Sequence, residues 1–347
     1  MPTTTGKIYL GSTLVSSEWA RPIDWIAMPT IISTEQKVAA LFLVGDNDSN
    51  FVAFRFGGNH TVDWGDGNIE NVYGGVTAEH NYVFSSLSAS TEIGPVGSKM
   101  RQAMIVITPQ AGQNLTSASF DFRHSSLSGI TYTTPILEIT LSVPNCTTLA
   151  IGGTIGNLRL LDRCNILSHN TISASNMFSG CASLKSVPLF DTSSVTNMTN
   201  MFSGCSTLQS IPLFNTSSAQ TMTNMFNGCS TLQSVPLFDT SAAINMGSMF
   251  NGCRSLQSIP NFDCSSATTS VNFAINCNGL KRCQATGIKT NVSFASCSLS
   301  ATSLNEIYTN LADLTALPTQ NITVTGNYGI ATDNPAIATA KNWTVVG

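Results

Sequence analysis

The sequence has little charge and no long hydrophobic run. Only 10% of its 347 residues are Asp, Glu, Lys or Arg, against about a quarter in an ordinary globular chain. The net charge is −4 and the sequence contains no Lys/Arg cluster, which argues against binding to a phosphate backbone. No window approaches the ~18 uninterrupted apolar residues of a membrane span. We therefore expect neither a nucleic-acid partner nor a transmembrane segment.

The motifs of common enzymes and metal sites are also missing. The sequence contains no G-x-S-x-G, no P-loop and no HExxH, and its 4 His are scattered. None of the 10 Cys forms a CxxC pair, and no His lies beside them, so the ligand spacing of a zinc site is lacking. We expect no catalytic residue, no cofactor and no metal ligand.

The first residues do not read as a secretory signal. Lys7 is the only early cation, and "IYLGSTLV" is too polar and too short for the apolar part of a leader. If the chain is a complete product, it is not exported by the general route. A surface-type protein without a leader suits a phage virion, and a mature chain whose leader has been removed is the rival interpretation.

What the sequence does contain is one passage written several times. "NMFSGCSTLQSIPLFNT" at 200–216 returns as "NMFNGCSTLQSVPLFDT" at 224–240, with looser copies from 176 and 248. A fixed period of this length predicts a solenoid, in which coils stack and share a core. The residues that keep a step of 24 form two predicted ladders: Cys181, Cys205, Cys229, Cys253 and Cys277, and Leu184, Leu208, Leu232, Leu256 and Leu280.

Each repeat predicts a coil made of a short helix, a glycine and a short strand. In "VTNMTNMF", Met198, Met201 and Phe202 share one helical face. Gly204 follows at the point where a left-handed residue ends a helix. "LQSI" predicts a strand that pairs with the next coil ~4.8 Å away. Asn215 and the Thr-Ser pair after it offer side-chain oxygens that cap the next helix.

The ten cysteines allow a disulfide interpretation and a packing interpretation. Parallel neighbours at a ~4.8 Å step lie within disulfide reach by their α-carbons. Their β-carbons, however, stay at about that same distance, which exceeds the ~3.8 Å that a bridge prefers. We therefore expect a reduced ladder of small buried side chains. Cys264, Cys283 and Cys297 lie outside the register, and for them both the disulfide and the packing interpretation stay open.

The repeat pattern resembles the BspA-type leucine-rich repeats of bacterial, protist and phage surface proteins. The resemblance rests on "MFSGC-x-x-L-x-x-(I/V)-P-x-F-(D/N)-T-S" and spans about 176–297. It implies adhesion or a scaffold rather than catalysis. We expect the leucine-rich-repeat solenoid to occupy 146–297, and an α/β cap at 298–347 to close it.

In that cap, "SLNEIYTNLADL" predicts a helix with Ser303 and Glu306 as a capping box. Its buried stripe would be Leu304, Ile307, Leu311 and Leu314.

The N-terminal third reads as β structure with turn signals. "KVAALFLVGDNDSNFVAFRF" gives two apolar runs around a polar turn, and "HTVDWGDGNIENVYG" predicts a hairpin at Asp66-Gly67. "VDWGDG" (62–67), "HNYVF" (80–84) and "MIVITP" (104–109) resemble the immunoglobulin-like domain of the polycystic-kidney-disease type, although the spacing differs at Trp64. The resemblance implies an Ig-like β-sandwich over 38–145, in which these residues are structural.

Two clusters in this region suggest chemistry. "DNDSN" resembles the start of a calcium loop, with Asp46, Asp48 and Asn50 as the candidate ligands. An EF-hand needs a Glu at its twelfth position, which is Gly57 here. A polar hairpin turn is the plainer interpretation, and opportunistic Ca²⁺ binding is the alternative.

The second cluster comprises His60, Asp63, Asp66 and His80, which lie close in sequence to the predicted hairpin. They can be pictured as a metal or acid–base group. A turn followed by a strand accounts for them without any such role.

One coil position carries Asp191, Asn215, Asp239 and Asp263. Glycosidases use paired carboxylates, so a polysaccharide-degrading solenoid is one hypothesis. In three of these four copies a Thr follows, which indicates a cap at a turn instead.

Trp19 and Trp25 lie in the unpatterned lead, residues 1–37. Because Trp is enriched at the centres of interfaces, we expect this segment to attach the protein to another virion subunit or to a second copy. The alternative is that both side chains fill the sandwich core.

The sequence thus predicts a mainly β protein with short helices: an attachment segment, an Ig-like sandwich, a leucine-rich-repeat solenoid of 24-residue coils and an α/β cap. The leading hypothesis is a phage virion surface or tail-associated structural protein that decorates the particle or contacts a host glycan or protein. A secreted adhesin on the bacterial cell surface is the second, and a polysaccharide-degrading enzyme is the third.

Overall fold

The computed structural model describes residues 9–10, 13–14, 22–46, 50–93, 100–120, 124–127, 132–153 and 156–347. Within them the chain is mainly β and has few helices, all of them short. N-terminal sheets are followed by a β-solenoid of about 8 turns that starts at residue 138. This confirms the fold class that the sequence predicts.

The N-terminal region is built from strands of two main sheets and two small pairs. They are β1 (Tyr9–Leu10), β2 (Thr13–Leu14), β3 (Lys37–Gly45), β4 (Phe51–Gly57), β5 (His60–Asp63), β6 (Ile69–Val72), β7 (Thr77–Asn81), β8 (Met100–Pro109), β9 (Ser117–Ser119), β10 (Tyr132–Thr133), β11 (Ile136–Val143), β12 (Thr148–Ala150), β13 (Gly156–Asn157) and β14 (Arg163–His169). One sheet has six strands in the order β14-β11-β3-β8-β5-β6, and the other has four in the order β12-β9-β4-β7. β1 pairs with β2, and β10 pairs with β13.

Aromatic side chains fill the space between the two sheets. Trp64 and Phe54 lie 5.2 Å apart by ring centroids, and Phe42 stacks on Tyr82 at 4.9 Å. The two apolar runs, β3 and β4, belong to different sheets and do not pair as a hairpin. The hairpin predicted at Asp66-Gly67 is confirmed, since β5 and β6 pair antiparallel around it.

Strand β11 joins the sandwich to the solenoid. It pairs antiparallel with β3 on one side and parallel with β14 on the other. All eight of its residues are buried. Its parallel pairing with β14 starts at Glu138 and Arg163. The solenoid therefore starts earlier than the boundary expected at 146, because one strand serves both parts. A single hydrophobic core runs from Val38 to Trp343.

Successive coils stack in parallel with a step of 24. Parallel bridges join Ser173 to Asn197, Asn197 to Thr221, Thr221 to Asn245 and Asn245 to Thr269. The strand expected at "LQSI" is wrong for the coils at 208–211 and 232–235, which have no strand there. The segment gives one hydrogen bond between neighbouring coils, such as that from Gln233 N to Gln209 O at 3.4 Å. A regular strand pair occurs at the last coils, between β15 (Ser258–Ile259) and β16 (Arg282–Cys283).

The short helix expected at "VTNMTNMF" is wrong, because the segment is a run of tight turns. Met201 N donates to Met198 O, while Asn200 between them has φ of 56°. A positive φ at the third position defines a type II turn and breaks a helix. The amides of Asn200 and Phe202 donate to the next coil, at Thr223 O and Met225 O. Every second amide thus leaves its own coil, so a helical ladder cannot form.

The C-terminal cap contains two short helices and a three-stranded parallel sheet. Its elements are β17 (Val292–Ser293), α1 (Ala301–Asn310), β18 (Gln320–Thr323), α2 (Ala336–Thr339) and β19 (Trp343–Val346). Leu304, Ile307, Leu311 and Leu314 are buried as predicted. Helix α1 ends at Asn310, however, so only Leu304 and Ile307 belong to it, and the expected extension of the helix to Leu314 is wrong.

The predicted capping box is wrong, because the N-cap lies three residues before the predicted Ser303. Helix α1 begins earlier than expected, so its N-cap is Ser300, whose Oγ accepts from Ser303 N. Glu306 instead forms a bidentate pair with Arg282 of the preceding coil at 2.7 and 2.8 Å.

Candidate functional site: the outward rows of the solenoid

The interior of the solenoid is made of stacked identical side chains. Phe178, Phe202, Phe226 and Phe250 form a column with ring centroids 5.3 to 5.7 Å apart and nearly parallel planes. Both sequence-predicted ladders lie in this interior, and every member is fully buried: Cys181, Cys205, Cys229, Cys253, Cys277, Leu184, Leu208, Leu232, Leu256 and Leu280.

The ladder cysteines are free thiols in this structure. From Cys205 to Cys277, each ladder Sγ donates to a carbonyl of the preceding coil, as Cys205 does to Phe178 O and Cys229 to Phe202 O, both at 3.1 Å. Burial raises the pKa of Cys205 well above its ordinary value, and it raises the pKa of Cys253 to about 12. Protonated, enclosed thiols are poor nucleophiles and poor metal ligands.

Three of the exposed rows that repeat at the same step on the outer surface of the coils follow one another in the sequence of each coil. We call the first the glutamine row: Gln209, Gln233 and Gln257, with Lys185 and Lys281 at its two ends. Backbone hydrogen bonds of 2.9 to 3.4 Å link these five positions one to the next. The three carboxamides are exposed, and they make no hydrogen bond within the described part of the chain. Each coil therefore offers one free donor and acceptor pair.

The second row is apolar, and the sequence reasoning missed it. We call it the leucine row: Leu189, Leu213 and Leu237, which are 65%, 61% and 59% exposed. Phe214 N donates to Pro212 O across Leu213, which places the leucine at the tip of a three-residue turn. One signal was available in "PLF", since adjacent apolar residues cannot both face inward in an extended chain, and Phe190, Phe214 and Phe238 are buried.

The third row is polar and mostly acidic. We call it the carboxylate row: Asp191, Asn215, Asp239 and Asp263. Each Oδ1 accepts from the amide two residues later, as in the 3.0 Å bond from Ser241 N to Asp239. The side chain and amide of Ser241 lower the pKa of Asp239, as Ser193 does for Asp191. The row thus closes turns, as the sequence predicts, and it stays ionised at neutral pH.

The His and Asp residues of the hairpin region are separated into two structural roles. His80 Nε2 lies 2.8 Å from Asp66 Oδ2, and its ring stacks on Trp64. Burial would raise the pKa of Asp66, but hydrogen bonds from His80 and Asn68 outweigh it and leave the pKa below its ordinary value. Asp63 Oδ1 accepts from Gly65 N. The pair of His80 and Asp66 holds the hairpin against the core.

His60 is buried away from this pair. Its Nδ1 lies 2.8 Å from Gly58 O, and its Nε2 has no hydrogen-bond partner among the described residues. The four side chains therefore do not converge on one point, and they do not form the cluster that the sequence allowed.

Of the calcium candidates, Asp48 lies outside the described residues. Asn50 is buried, and its carboxamide makes hydrogen bonds of 2.8 and 2.9 Å with the backbone N–H and carbonyl of Gly45. Its carboxamide oxygen is thereby engaged by an amide. Across the residues that the structure describes, no group of three His, Cys, Asp or Glu is arranged to hold a metal.

Of the two attachment candidates, Trp19 also lies outside the described residues. Trp25 is half-buried. Its neighbours are tied to the sandwich, because Gln102 Nε2 donates to Asp24 O at 2.7 Å and Gln102 Oε1 accepts from Ile26 N at 2.9 Å. The end of the lead thus lies on its own domain.

An open groove of about 320 Å³ lies between β6 and β7, with Tyr73, Val76 and two glutamates among its lining residues. No helix among the described residues has the length and apolar character needed to cross a bilayer.

Comparison with known proteins finds one similarity. Residues 172–283 match the family described as "Mycoplasma protein of unknown function, DUF285". The match covers the regular coils and is compatible with a BspA-like repeat protein. No curated protein and no solved structure matches the chain.

Proposed function

We propose that this chain is a surface adhesion protein that binds through the outward rows of its solenoid and has no catalytic role. The glutamine row carries this proposal. It places Gln209, Gln233 and Gln257 on successive coils with free carboxamides, next to serine hydroxyls one residue on. Such a surface can hydrogen-bond a glycan or an extended peptide repeatedly without strong charge.

The proposal includes that the solenoid carboxylates catalyse no reaction. Carboxylates that could serve a hydrolase, such as Asp191 and Asp239, accept hydrogen bonds inside their own turns and hold those turns closed. Glycoside hydrolysis needs an acid and a base or nucleophile on opposite sides of one bond, and a row along one edge presents its members on the same side. Release of reducing sugar from bacterial polysaccharide, abolished by Asp239→Asn, would contradict this part.

The finer proposal is that the protein decorates a phage virion or its tail. Its support is the low charge and the capped repeat solenoid, which suit a structural protein on the surface of a particle. Mass spectrometry and antibody labelling of purified particles test it. Labelled particles are the expected result, and label confined to the bacterial cell surface favours a secreted adhesin instead.

The binding site is tested by removing the row. The variant Gln209→Ala, Gln233→Ala, Gln257→Ala should fold normally, because all three side chains are exposed. At ~1 kcal/mol per lost hydrogen bond, we expect binding of the labelled protein to intact bacterial cells to weaken about tenfold or more.

Gln220→Ala is the matched control, since Gln220 is exposed but lies in another column of the coil. It should bind like the unmodified protein. Equal binding by the triple variant and the control, or no binding by the unmodified protein, would contradict the proposed role of the row.

A further inference from the structure

The leucine row has no explanation in the folding of its own chain. Leu189, Leu213 and Leu237 are about 60% exposed, so most of each side chain packs against nothing in the described structure. The turn itself does not require leucine, because the fourth copy carries Asn261 with the same hydrogen bond from Phe262 N to Pro260 O at 2.8 Å. Three exposed leucines in line on one edge indicate a partner.

The periodicity of the row identifies the partner that fits it best. The leucines repeat at the spacing of the coils, which parallel bridging sets at ~4.8 Å. An extended strand presents same-face side chains every ~6.6 Å and loses register within a few residues. A second copy of this solenoid has an identical spacing, so every leucine can meet a leucine.

Charge decides how the two copies are oriented. The carboxylate row lies two residues beyond the leucine row, and the glutamine row lies four residues before it. If the two solenoids ran antiparallel across a two-fold axis, the carboxylate rows would face each other and repel. If they run parallel, each carboxylate row lies beside the glutamine row of the partner, which carries no negative charge and has a lysine at each end.

We propose that two copies of this chain associate side by side and in parallel through the leucine row, around a two-fold axis parallel to the solenoid axis. In this arrangement Leu213 meets Leu213 and Leu189 meets Leu189. Three leucines per copy bury much less surface than the ~800 Å² per partner of a stable interface. The association is therefore weak and depends on concentration. It concerns contact between copies, and it stands independently of the adhesion proposed above.

Cross-linking of single introduced cysteines tests both the contact and its direction. All ten native cysteines are buried, so a short bismaleimide reports the introduced thiol. Leu189→Cys and Leu213→Cys should each give covalent dimers about tenfold faster than Leu317→Cys, because association raises the effective concentration of the paired thiols. Leu317 is the matched control, since it is 54% exposed but lies in the cap.

An antiparallel dimer would give a different pattern of cross-links, and that pattern would overturn the proposal. Leu189→Cys would then cross-link poorly with itself and rapidly in a mixture with Leu237→Cys. Equal rates for Leu213→Cys and Leu317→Cys would also overturn it. As a second measurement, Leu189→Ser, Leu213→Ser, Leu237→Ser should sediment as a monomer at a concentration where the unmodified protein and Leu317→Ser show dimer.

Discussion

At the scale of single residues, the coil depends on a few positions whose backbone is left-handed. Two columns have positive φ in every regular coil: one of Asn or Ser, such as Asn200 and Ser248, and one of Gly, such as Gly204 and Gly228. Each is the third residue of a type II turn, where only residues that tolerate positive φ fit. In the sequence, the glycine column indicates the end of a helix and the Asn or Ser column lies inside that predicted helix, whereas in the structure both columns form turns.

Gly204→Ala tests the turn. Its φ is +78°, and an added Cβ would meet atoms of Gly180 no closer than 3.6 Å, so the cost is that of the backbone conformation alone. We expect a loss of about 1–2 kcal/mol in the free energy of unfolding, measured by urea denaturation.

The matched control is Gly247→Ala. Gly247 has an ordinary φ, and the nearest atom to an added Cβ lies 3.5 Å away. It should be neutral or gain up to ~1 kcal/mol from the reduced freedom of the unfolded chain. Equal losses in the two variants would show that φ is not the cause.

The pH dependence of stability should carry a histidine contribution. Burial lowers the pKa of His60, partly offset by the Gly58 carbonyl, and burial likewise lowers the pKa of His169. Both groups bind protons more readily in the unfolded chain, so stability falls as the pH drops below the ordinary histidine value of ~6.5.

We therefore expect the urea midpoint to decrease from pH 7 to pH 5, and to decrease less in His60→Gln. His169→Gln should act in the same direction, because its cause is the same. An unchanged slope in both variants would contradict the assignment.

At the scale of the element, the coil is a unit of 24 residues that fits its neighbours by register. Removing 224–247 joins two coils that carry the same columns, so the Cys, Leu and Phe ladders remain aligned. We expect this one-coil deletion to fold with an unfolding transition close to that of the full protein, as nearest-neighbour stacking implies.

A half-coil deletion of 224–235 provides the comparison. It removes Phe226, Cys229 and Leu232 while keeping the rest of the coil, so the columns no longer meet. It should lose cooperative unfolding and far-ultraviolet circular dichroism. Normal folding of this variant would contradict the role given to the register.

The period, the buried columns and the cap helix could be read from the sequence, because side-chain type alone fixes which face is inward. The turns could not, since the i, i+3, i+4 pattern of Met198, Met201 and Phe202 suits a helix and this turn run equally well. What separates the helix from the turn run is that amides donate to the next coil. These are tertiary hydrogen bonds, which the sequence of one coil does not reveal. The leucine row was missed because a leucine inside a repeat is expected in the core.

At the scale of the whole molecule, one core joins sandwich, solenoid and cap, and all ten thiols lie inside it. We expect the native protein to show almost no reaction with a thiol reagent, and denaturation without reductant to release ten reactive thiols. Burial both blocks access and raises the pKa, to about 11 at Cys146. Fewer than ten after denaturation would reveal a bridge.

The central claim is that the stacked coils carry binding as a repeated surface. Binding of labelled protein to intact bacterial cells should be measured for three forms: the one-coil deletion of 224–247, the unmodified chain, and a chain in which 224–247 is duplicated. Because each coil adds one glutamine to the row and contacts on one surface reinforce each other, the apparent affinity should increase in that order. Equal affinity of all three folded forms would contradict the claim.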